Sequence, residues 1–244
     1  MVPWLIGGVV LLVLGLVLRR VLGMHTRAKS RDGRPVPLSP ELEALYLPVA
    51  QEIDAHFAIL GITLGDAFAQ REANQPEMAW QIVHLAMLEW DRMAGFVVGL
   101  QNTLSKFLPN TEVVVPVRPV SADNFKSRPV IGYVGLYEFL DRLVFSSKRR
   151  FALQLRVLSR TSILVSKEFR RVCVEGARSR DVSPEVWNRL DLYFHDFDLI
   201  TKESLLAFRA LLACQSPEGV RALSLDLHVL LSQGVRVSIP VIDQ

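Results

Sequence analysis

The sequence predicts an all-α protein: an N-terminal single transmembrane helix followed by a cytoplasmic helical bundle of four to five helices, with a minor two-stranded β patch as a further option. Three observations predict this class. Val2 to Leu18 is a run of seventeen residues without a charge, the lower limit for a helix that spans a bilayer. Apolar residues then recur at alternating steps of three and four in the later segments, as helices packed on helices require. The triplet Ser-Pro-Glu begins at Ser39, Ser183 and Ser216. In each, serine can cap free amides, proline suits the first turn, and glutamate complements the positive end of the helix dipole.

The apolar run is followed by Arg19, Arg20, Arg27, Lys29, Arg31 and Arg34, against the single acid Asp32. Cations concentrate on the cytoplasmic side of a span. The expected address is therefore the bacterial inner (plasma) membrane, single-pass, with the N-terminus out and these six residues on the anionic inner leaflet. No small-residue cleavage pattern follows the run, which argues for a retained anchor over a removed signal peptide. The expected division is residues 1–23 as transmembrane anchor, 24–38 as basic juxtamembrane linker, and 39–244 as helical bundle with a Pro-rich loop at 109–131. Cys173 and Cys214 lack metal or redox spacing and suit a reducing compartment. Arginine outnumbers lysine 22 to 6, which fits a GC-rich bacterial coding sequence.

Within the bundle, the first helix is expected from Pro40 to Leu60, kinked or split by Pro48, with a short amphipathic piece from Thr63 to Arg71. A second runs from Pro76 to Leu108 on a seam of Val83, Met87, Trp90, Ala94, Val97, Gln101, Leu104 and Leu108. Asn110 to Ile131 contains Pro116, Pro119 and Pro129 and reads as a long loop or an edge strand that could pair with the alternating Gly234 to Gln244. The longest helical segment is expected over 133–178. Its seam is Phe151, Leu155, Leu158, Ser162, Val165, Phe169, Val172 and Gly176, a heptad pattern interrupted by Ser162 and Gly176. Helices from Pro184 to Cys214 and from Pro217 to Ser232 complete the bundle.

The formal net charge of +3 hides a segregation. Residues 142–180 contain eleven basic and two acidic residues, whereas residues 35–141 carry a net −7 and residues 181–244 a net −4. At about 100° per residue, Arg142, Arg149, Arg156, Arg160, Lys167, Arg171 and Arg178 fall on one face, opposite the heptad seam. Four readings follow: a solvated or internally neutralised face, a docking surface for an acidic protein, a contact with anionic lipid, and a nucleic-acid surface. The last lacks aromatic interleaving and any recognisable fold motif.

Chemistry leaves fewer traces. No glutamate has a histidine three residues on, so the Glu-x-x-His pattern of di-iron bundles is absent. There is no H-E-x-x-H, C-x-x-C, G-x-S-x-G, Walker or G-x-G-x-x-G motif, and Gly132-Tyr133-Val134-Gly135 matches none of them. His195-Asp196-Phe197-Asp198 is the nearest approach to a divalent-cation site, with His228 or His56 as further ligands only if folding gathers them. The competing reading is a solvated helix face with ion pairs to Arg189 and Lys202. His84 is expected in the core, as are Trp80, Trp90 and Trp187.

These readings combine into an expectation of a non-enzymatic membrane protein that serves as an accessory or scaffold subunit of an inner-membrane complex, bound to other complex proteins or to itself. It requires no cofactor, metal or nucleic acid. The alternative is a membrane-tethered, metal-dependent enzyme or regulator using His195, Asp196 and Asp198.

Overall fold

A computed structural model describes residues 36–108, 120–144 and 146–232, all within the second of the chain's two compact units, Pro35–Gln244. Among these residues are six α-helices: α1 (Pro40–Glu72), α2 (Pro76–Lys106), α3 (Arg128–Asp141), α4 (Ser147–Ser179), α5 (Pro184–Leu212) and α6 (Pro217–Ser232). A 3-10 turn, Ala122–Asn124, precedes α3. The central four, α1, α2, α4 and α5, pack each on the next, and α5 returns to α1. The short α3 lies on α4, and α6 lies mainly on α2.

The expected membrane-spanning helix is corrected. Among the described residues no helix is long and apolar enough to cross a membrane, because each long helix carries charges on its solvent side. The stretch on which the span was placed, 2–18, lies outside the described residues, as does the basic flank Arg19, Arg20, Arg27, Lys29, Arg31 and Arg34. No strand occurs among the described residues either. Residues 110–119 and all of 234–244, from the two halves of the optional β patch, lie outside them, and the described part of the first half, 120–131, contains the 3-10 turn and the start of α3.

Two expected boundaries move for local reasons. Helix α1 runs unbroken through Pro48 and Gly61. Proline removes one hydrogen bond, but Leu42, Leu45 and Tyr46 before it pack against the core, Val49, Ile53, Leu60, Leu64 and Ala67 after it are buried, and the Thr63 hydroxyl returns to the Ile59 carbonyl at 2.8 Å. Burial of one continuous face outweighs one missing donor. Conversely, the segment expected as one helix over 133–178 is two. After α3, Leu143 N–H and Val144 N–H donate to Leu140 and Asp141 carbonyls at 3.0 and 3.1 Å, tightening the last turn. Arg150 of α4 then holds the corner, donating to the Val144 carbonyl at 2.9 Å and lying 3.3 Å from Asp141.

The core is aromatic at its centre. The Trp90 ring stacks on Phe169 at 3.9 Å and on Phe197 at 4.6 Å, joining α2, α4 and α5, while Phe57 brings in α1 through Phe197. Trp90 Nε1 donates to Ser166 Oγ at 2.9 Å, so its one polar atom is satisfied. The α4 seam is buried along its whole length, and its two interruptions have partners. Gln101 Nε2 donates to Ser162 Oγ at 3.1 Å and to Ser204 Oγ at 2.8 Å. Gly176 makes room for the Trp80 ring. Helix α5 is tied back to the start of α1 by Arg209, which forks onto Glu43 at 2.9 and 3.1 Å, donates to the Val36 carbonyl at 2.7 Å, and covers the Tyr46 ring.

Candidate functional site

Helix α4 turns its seam inward, and this fixes its opposite side toward solvent. Arg149, Arg156, Arg160, Lys167, Arg171 and Arg178 are all exposed on that side. Arg142 is also exposed but sits in the turn after α3, so the row on one helix begins at Arg149. From there to Arg178 it extends about 44 Å at 1.5 Å per residue, shorter than an unbroken 133–178 helix would give.

The cations of this region divide by partner. Three cations off the row reach acids on neighbouring elements, Arg150 to Asp141, Arg170 to Asp91 and Arg180 to Glu77, while Lys148 forms no ion pair with any described residue. On the row, Arg171 pairs within its own helix, with Glu168 at 2.7 Å and Glu175 at 3.5 Å, and the Glu168 hydrogen bond pushes its pKa further up. Arg149, Arg156, Arg160, Lys167 and Arg178 form no ion pair with any described residue. Internal neutralisation of the row, one of the four sequence readings, therefore holds for Arg171 alone among the described residues.

Near its C-terminal end the row borders a cavity of about 470 Å³ between α4 and α5, whose lining includes Arg178, Arg189, Glu175, Asp181 and Glu185. Asp181 is held below the usual carboxylate range by hydrogen bonds from Ser183, whose N–H lies 2.7 Å from Asp181 Oδ1. The Ser179 hydroxyl in the wall is committed to the Glu175 carbonyl at 2.8 Å. No histidine or cysteine lines this space.

The His195, Asp196 and Asp198 cluster does not assemble. Asp196 is fully buried and accepts the Lys126 and Ser127 N–H groups at 2.8 and 2.9 Å, capping the start of α3 from a different helix. Asp198 pairs with Lys202 at 2.6 Å, the bland alternative expected for it. Among the described residues no three His, Cys, Asp or Glu side chains are placed to share a metal ion. His56 instead bridges Glu52, at 3.3 Å, and Glu89, while His228 is exposed and Asp226 pairs with Lys106 at 3.2 Å. His84, expected in the core, is exposed: it follows Val83 of the α2 seam by one residue, a 100° turn that carries it off the buried face. Trp80, Trp90 and Trp187 are buried as expected. Sequence reasoning did not find the capping role of Asp196; its only trace is a carboxylate between the apolar seam residues Tyr193 and Phe197.

Compared with known proteins, the chain matches no family model, no curated protein and no solved structure.

Proposed function

We propose that this chain is a non-enzymatic docking module, an accessory or scaffold subunit of a larger protein complex, whose α4 row binds an acidic surface of a protein partner. One observation carries the reading: five exposed cations on one helix face have no ion-pair partner among the described residues, although neighbouring cations on the same helix do. Like charges four to seven residues apart on a helix repel. A row of them raises the local potential and steers anionic partners toward it. A rigid helix backed by an aromatic core presents these charges in a fixed register, which favours a partner with a matching line of Asp and Glu. The acidic character of the rest of the bundle limits adhesion to polyanions in general.

The test is charge reversal on the full chain. Arg149→Glu, Arg156→Glu and Arg160→Glu together are expected to leave the helical circular dichroism and melting curve unchanged, because all three side chains are exposed and unpaired. The same variant is expected to leave the complex in native electrophoresis, and added salt is expected to release the unmodified chain. Retention of the triple variant in an unchanged, salt-insensitive complex would overturn the reading. Unfolding of the variant would instead show the row to be neutralised from within.

A further inference from the structure

Helix α3 is apolar on both its inward and its outward side. Val130, Val134 and Tyr137 face the core, yet Ile131, Leu136, Phe139 and Leu140 are all exposed, Leu136 at 57% and Phe139 at 60%. At 100° per residue these four occupy the outward half of the helix together with Gly132 and Gly135. A Cβ added at either glycine would have nothing within 4 Å. Glycine is unfavourable inside a helix unless a turn or a close approach requires it, and no packing among the described residues requires it here. The result is an apolar ridge with a notch in its middle.

We infer that the outward face of α3 is a second docking site, for an amphipathic helix of a protein partner whose apolar stripe is flanked by Asp or Glu. The charges at the site select this occupant. The outward half of α3 carries Arg128, and exposed Arg142 follows in the next turn, so both ends of the ridge are cationic. The acids of α3 are turned to their own chain: Glu138 accepts the Ala122 N–H at 2.9 Å and Asp141 lies 3.3 Å from Arg150. A second copy of this face would set arginine against arginine with no acid between them. Lipid would gain from every apolar side chain, whereas the glycines remove side chains where a neighbouring backbone gains from close approach. An apolar helix laid into the notch, its acids at the two arginines, satisfies both features.

This goes beyond the α4 reading and stands apart from it. A photoreactive p-benzoylphenylalanine placed at position 136 or 139 of the full chain, irradiated in the cells that make it, reports what covers the ridge once the adduct is sequenced by mass spectrometry. The expected adduct joins another protein, within a segment whose apolar residues recur at steps of three and four between acids. A synthetic peptide of that segment is expected to bind the purified chain in fluorescence anisotropy. Gly132→Leu, and separately Arg128→Glu with Arg142→Glu, should weaken that binding at least tenfold without changing the circular dichroism. Adducts confined to this chain or its copies, adducts to lipid, a captured segment without that pattern, or no adduct each overturn the inference. The Arg156→Glu, Arg160→Glu variant is expected to keep the α3 adduct, so failure of the α4 reading and failure of this one are seen separately.

Discussion

The indole ring of Trp80 occupies the space that a side chain at position 176 would need: a Cβ on Gly176 would lie 2.1 Å from Trp80 Cη2. The same ring meets Trp187 at 5.1 Å, and its Nε1 donates to the Asp181 carbonyl at 3.1 Å. One tryptophan on α2 thereby fixes where α4 ends and α5 begins. That junction shapes the cavity beside Arg178.

Gly176→Ala tests this contact with opposing terms. Alanine is favoured over glycine in a helix interior by about 1 kcal/mol, but overpacking a filled site costs roughly 1–3 kcal/mol. The clash involves a ring anchored at both its face and its Nε1, so the second term should win. The melting temperature is expected to fall by a few degrees, on a scale of about 2–4 °C per kcal/mol. Adding Trp80→Phe should recover part of the loss, which a double-mutant cycle measures as coupling. Simple additivity would show that the contact is not the cause.

Asp196→Ala removes the acceptor for two N–H groups at the start of α3. Hydrogen bonds to charged groups contribute about 1.5–3 kcal/mol each, so a loss of roughly 3 kcal/mol or more is expected in urea denaturation. Asp196→Asn, which keeps one oxygen, should fall between. Amide exchange at Lys126, Ser127 and the first turn of α3 should accelerate in both variants. Protection unchanged there would mean that α3 is held by its apolar face alone.

Much of this architecture was legible in the sequence because it rests on local rules. Ser39, Ser183 and Ser216 mark helix starts, and the Phe151 to Gly176 seam identifies the buried face of α4, which in turn places the basic row opposite. What the sequence did not show depends on partners far along the chain. Pro48 is tolerated because apolar residues on either side of it pack into the core. Asp196 is a cap because folding brings Lys126 and Ser127 to it, not because of its neighbours His195 and Asp198. The outward face of α3 resembles an ordinary apolar helix in sequence, since periodicity alone does not tell which half a neighbour covers. The pairing of Arg150, Arg170 and Arg180 with other elements, while five of the six row cations beside them have no described partner, is likewise a tertiary fact.

Gln101 supplies a test of register. Its amide reaches Ser162 and Ser204, but those hydroxyls also donate to Leu158 and Ile200 carbonyls at 2.9 and 2.8 Å. Removing Gln101 therefore leaves no serine donor stranded. Gln101→Leu, close in volume, is expected to change stability by about 1 kcal/mol or less. Gln101→Ala, which opens a cavity, should cost about 2 kcal/mol or more. If the polar layer specifies helix register, Gln101→Leu should broaden amide resonances of α4 and α5 while leaving the melting temperature nearly fixed.

Asp91 and Arg170 provide a prediction whose sign depends on which of two opposing effects is larger. Burial raises the Asp91 pKa, and the Arg170 ion pair offsets only part of that rise. The folded state consequently holds the Asp91 proton more tightly than the unfolded chain does. Between the ordinary aspartate value of about 3.9 and the raised native value, folding takes up protons, and this group's contribution to stability declines as pH rises through that window. Asn cannot titrate, so the melting temperature of Asp91→Asn minus that of the unmodified chain should increase as pH is raised from about 3 to about 7. Calorimetry at several pH values reads that difference directly, independent of any constant offset the amide introduces. A difference that shrinks with rising pH would mean that Arg170 outweighs burial and that the pair stabilises the ionised carboxylate.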